Sequence, residues 1–211
     1  MKAPFEHLRD RAVLITDGRS PLAPSLVEAF GSARPRIFTV VPDRAGANMS
    51  RDGTNMGSAG ANMGTPLVGD VRSESGVRAV LDGIGREHRQ LDAALVPLTL
   101  AGSLDAVAEE AFLLVTLLQE AKARFGALPR YVVALAHARD ERAAKVGAAL
   151  TKTLAGYAAA HVTQEDTRVN VIRIEGAPSA DLFARASRAA LALTSGWLEA
   201  VRGQELVIGD R

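Results

Sequence analysis

The stretch Ala12–Phe30, reading AVLITDGRSPLAPSLVEAF, holds the densest set of residues that could do chemistry. An apolar run, Ala12-Val13-Leu14-Ile15, breaks at Thr16-Asp17-Gly18-Arg19-Ser20 and resumes with helical spacing at Leu22, Leu26, Ala29 and Phe30. A strand, a tight turn and a helix in that order can set backbone N–H groups and a helix N-terminus around a diphosphate. Ser20 can cap the helix, with Pro21 in its first turn, where a missing N–H costs nothing. The layout suits a phosphate cradle, but the turn holds one glycine, Gly18, and Asp17 would bring a carboxylate beside the phosphate. A second candidate is His137, which follows the apolar run Tyr131–Ala136. An imidazole there can carry a proton near neutral pH, or it can be a satisfied or solvated strand end. Residues 46–66 form three copies of a seven-residue unit, GANMSRD, GTNMGSA and GANMGTP. Met49, Met56 and Met63 could gather a soft cation such as Cu(I). The Gly- and Asn-rich units read more simply as a tandem expansion in a surface loop spanning 45–66.

Composition narrows the chemistry. The chain of 211 residues has no Cys, which excludes disulfides, thiolate metal sites and a Cys nucleophile. Its net charge of +1, with Lys and Arg scattered, argues against a nucleic-acid surface. No apolar run reaches the roughly 20 residues of a membrane helix. The charged start, MKAPFEHLRDR, has no signal core. A soluble cytoplasmic protein is expected, with no metal site.

Strands and helices alternate along the chain. Strands are expected at Arg11–Ile15, Ile37–Val41, Leu67–Val71 with its turn, Leu91–Leu95, Tyr131–Ala136, Val169–Ile174 and Leu206–Ile208. Helices are expected at Leu22–Phe30, Ser73–His88, Ser103–Phe125, Arg139–Ala160 and Ser179–Val201, the last broken at Ser195-Gly196. Continuously apolar strands imply cover on both faces. The expectation is a single α/β domain over 1–211: a doubly wound, Rossmann-like, mostly parallel sheet of about seven strands flanked by helices.

Several segments, in order, resemble the short-chain dehydrogenase/reductase family. They are Leu14-Ile15-Thr16 with its turn, Gly69-Asp70-Val71, Ala149-Leu150-Thr151-Lys152-Thr153-Leu154, Arg168-Val169-Asn170-Val171-Ile172, Leu193-Thr194-Ser195 and Gly203–Asp210. The resemblance implies an NAD(P)-dependent oxidoreductase acting on a carbonyl or hydroxyl, with a Tyr-Lys pair and a Ser moving the proton. It places Thr16, Gly18 and Ser20 at the cofactor turn. Asp43 matches the acidic residue on the ribose hydroxyls, or merely starts a polar loop, and Arg44 beside it could serve a 2′-phosphate. Asp70 and Val71 match the adenine-contacting pair.

The departures lie in the chemistry. The family's three turn glycines become Asp17, Pro21 and Ala23, and its catalytic serine position falls at the Leu135-Ala136-His137 strand end. The tyrosine and lysine of the family pair would fall near Asp140 and Ala144, with Lys145 one residue, roughly 100° of helix, out of place. The lid after Ala177-Pro178 is missing. The resulting expectation is a non-catalytic structural or binding subunit that takes cofactor weakly or not at all. It would assemble with itself, or with an active relative, through helices 103–125 and 139–160. The second carries small residues at Ala143, Gly147, Ala148 and Thr151. One alternative is an atypical NAD(P)-dependent oxidoreductase using His137, Asp140 and Lys145. Another is a flavodoxin-like binding module.

Overall fold

The computed structural model describes residues 5–41, 64–100, 104–138, 145, 149, 167–195, 198 and 201–209. The strands are β1 (Ala12–Ile15), β2 (Arg36–Val41), β3 (Thr65–Val68), β4 (Ala93–Leu100), β5 (Tyr131–Ala138), β6 (Arg168–Glu175) and β7 (Glu205–Gly209). The α-helices among the described residues are α1 (Ala23–Gly31), α2 (Glu74–Gly85), α3 (Leu104–Phe125) and α4 (Ala180–Leu193). Glu6–Leu8 adds a turn of 3-10 helix before β1. Lys145 and Ala149 are helical. The rest of segment 139–160, the repeat 46–63, Asp43, Arg44 and Asp140 lie outside the described residues.

The strands form one sheet in the order β3-β2-β1-β4-β5-β6-β7, and every neighbouring pair is parallel. The order reverses between β1 and β4, the switch point of a doubly wound sheet. A flavodoxin-like order, 2-1-3-4-5, is excluded because β1 lies between β2 and β4.

Side chains alternate between the two faces of each strand. On one face Leu14, Phe38, Val40, Val96 and Val132 meet Val80 and Ile84 of α2 and Leu114 and Leu117 of α3. On the other, Val13, Ile15, Leu95, Val133 and Ile172 meet Leu26 and Phe30 of α1 and Leu182 and Ala186 of α4. Both faces are covered, so the strands need no polar side, and this explains their unbroken apolar runs.

Local chemistry sets the ends of the elements. Ser73 and Ser179 cap α2 and α4, accepting from the N–H groups of Gly76 (3.1 Å) and Leu182 (3.2 Å). Arg78 reaches from α2 to Glu120 on α3 at 2.7 Å, and Arg124 returns to Asp82 at 2.6 Å. The buried amide of Asn170 fastens the last strand: its Nδ2 donates to the Val201 carbonyl (3.2 Å) and its Oδ1 accepts from the Gln204 N–H (3.1 Å).

Three expectations change. β4 runs on through Pro97 to Leu100 instead of stopping at Leu95. The Leu95 carbonyl accepts from Thr16 N–H, so Leu95 and the alternate residue Pro97 both face β1. The next rung would run from an N–H at residue 97 to the Thr16 carbonyl, so Pro97, which has none, falls where the β1–β4 ladder ends. β3 runs from Thr65 to Val68, so it takes in the last two residues of the expected 45–66 loop, pairing them with Phe38 and Thr39 of β2, and Gly69-Asp70-Val71 lies beyond it in the turn. The Asp70 carboxylate accepts from Arg72 N–H at 3.0 Å and bends the chain there. Finally, Ser20 does not cap α1. The helix starts at Ala23, its N-cap Leu22 makes no side-chain cap bond, and Pro24 takes the place in the first turn expected for Pro21.

Candidate functional site

A cavity of about 440 Å³ opens at the carboxyl ends of β1, β2 and β4 and against the turn after β3. Its lining includes Thr16, Asp17, Arg19, Asp70, Val71 and Arg72. This is where an open α/β sheet takes its ligand, beside the switch point. The structure brings Thr16, Asp70 and Val71 together at this cavity, with the charged residues Asp17, Arg19 and Arg72 beside them. Gly18 and Ser20 shape the turn but do not line the cavity.

Six backbone donors of the turn and the helix start are bonded within the protein. Thr16 N–H donates to the Leu95 carbonyl (3.1 Å), and Gly18 N–H to the Val40 carbonyl (2.8 Å). Arg19 N–H donates to Asp17 Oδ1 (2.9 Å), and Ser20 N–H to the Asp17 carbonyl (3.3 Å). Leu22 N–H donates to Ser20 Oγ (3.3 Å), and Ala23 N–H to the Ser20 carbonyl (2.9 Å). Pro21 and Pro24 have no N–H to offer. These six donors are thus engaged by the chain itself. Asp17 adds repulsion of roughly 1–4 kcal/mol per pair of unit charges at 4 Å, depending on the local dielectric.

Gly18 has a different use from the one its setting suggests. A methyl group on it would stand 2.5 Å from Thr39 Cγ2 and 2.9 Å from the Val40 carbonyl. The glycine lets the turn lie against β2, which is how its N–H reaches Val40. The Asp70 turn is closed in a similar way. Ser73 Oγ donates to the Asp70 carbonyl (3.1 Å), and a methyl on Gly76 would collide with that same oxygen.

Of the proposed proton-handling residues, the two that are described, His137 and Lys145, do not line this cavity. His137 lies within β5, which extends two residues further than its apolar run, and is buried at 8 % exposure. Its Nε2 pairs with the Gly176 carbonyl at 3.3 Å, and its ring meets Phe183 edge-on at 5.6 Å. This is a satisfied strand-end histidine. Lys145 is exposed, and Asp140 is outside the described residues. Of the two tyrosines, Tyr157 is also outside them. Tyr131 begins β5, six residues before His137 and so roughly 20 Å along the strand from the carboxyl end.

Among the described residues no group of three His, Asp or Glu is placed to hold a metal ion, and no helix is long and apolar enough to cross a membrane. The three methionines of the repeat lie outside those residues.

No protein-family model and no curated protein matches the sequence. Solved structures match it in shape. RhlG from Pseudomonas aeruginosa, in complex with NADP, superposes with a TM-score of 0.76 at 16 % identity, covering 99 % of this chain and 98 % of that one. A hydroxysteroid dehydrogenase from Escherichia coli gives 0.73 at 17 % identity, covering 99 % and 100 %. An enoyl-acyl carrier protein reductase from Bacillus cereus, with NADP+ and indole naphthyridinone, gives 0.69 at 15 % identity, covering 95 % of each chain. The chain has a short-chain dehydrogenase/reductase-like fold.

Proposed function

We propose that this chain is a short-chain dehydrogenase/reductase-like scaffold that works without hydride chemistry, as a structural or binding subunit of a homo- or hetero-oligomer. The observation that carries this reading is the self-bonded turn. Gly18, Arg19, Ser20, Leu22 and Ala23 spend their N–H groups on protein acceptors, and Asp17 sets a carboxylate beside the cavity. The placement of Tyr131 at the amino end of β5 supports it, because no tyrosine stands four residues before a lysine near the cavity.

The partner is a second copy of the chain or an active relative, met through α3 and the 139–160 segment. Phe112 of α3, 56 % exposed, suits such a contact. An apolar ring left in water is a favourable group to cover.

A second reading rests on the cavity itself. About 440 Å³ remains at the switch point, with Asp70 and Val71 at its wall. That space favours retained nucleotide binding in an atypical oxidoreductase. Calorimetric titration with NAD(H) and NADP(H), with the assembly mass measured on the same sample, separates the two. The subunit reading expects an oligomer and no saturable nucleotide binding at millimolar concentration. Tight, saturable binding would overturn it and favour the second.

A further inference from the structure

We draw no further inference here: the strongest candidate, the pair of Asp-x-Arg turns at Asp17–Arg19 and Asp70–Arg72 whose charged residues line the switch-point cavity, belongs to the site already described, and nothing beyond the turns themselves points to a ligand there.

Discussion

Gly18 and Asp17 sit side by side in one turn and do opposite things. Gly18 brings the backbone against β2, and Asp17 uses its carboxylate to hold Arg19 N–H. Gly18→Ala should cost roughly 1–3 kcal/mol, because its methyl meets Thr39 and the Val40 carbonyl inside van der Waals contact. Urea denaturation reads this as a lower midpoint at unchanged slope. A wild-type midpoint would mean that the turn can lift from β2 freely. The sequence marked Gly18 as the one glycine left in the turn but could not say why it stays. That reason lies in β2, which approaches the turn only once the sheet has formed. Asp17 was legible as a misfit at once, since a carboxylate beside a phosphate is unfavourable whatever the fold. His137 was legible as a strand end, whereas its pairing with Gly176 and Phe183 depends on a neighbouring strand and helix 39 and more residues away.

Helix starts show how far local rules reach at the scale of the element. Ser73 and Ser179 lie where capping chemistry places them, and each accepts a bond from the N–H three residues on. Ser73→Ala and Ser179→Ala should each cost about 1 kcal/mol, seen as a drop in melting temperature. Glu120→Ala, which breaks a pair with the exposed Arg78, should cost about 1 kcal/mol or less, and less still in high salt. A larger loss at Glu120 than at the caps would reverse this ranking. Ser20 followed the same rule on paper and misled, because α1 starts only at Ala23 and the Ser20 hydroxyl braces the turn before it, accepting from Leu22 N–H. Pro97 misled in the other direction. A proline usually stops a strand, but here it falls just past the last β1–β4 rung, and β4 continues on its pairing with β5. Both misses concern what lies next to an element, which periodicity does not report.

For the whole molecule, alternating strands and helices were enough to foresee a covered, parallel sheet. The order of the strands was not legible from the alternation alone, because a flavodoxin-like sheet alternates in the same way. Assembly is the property most exposed to test at this scale. Under the subunit reading, Phe112→Glu should shift the mass measured by sedimentation towards the monomer. The melting temperature of the monomer should stay nearly constant, since the side chain is already 56 % exposed. An unchanged oligomer would place the contact elsewhere. The Asn170 clasp has a consequence of another kind. Arg168-Val169-Asn170 lies at the amino end of β6, away from any cofactor, and its amide moors the segment that delivers β7. If that mooring fails, β6 becomes the outermost strand. Its bare backbone, beside the buried Val171, Ile172 and Ile174, would then be a template for strands of other copies. In that sense the last strand is a cover: it lays a short, half-exposed edge over a β6 whose longer, buried apolar run would otherwise lie open.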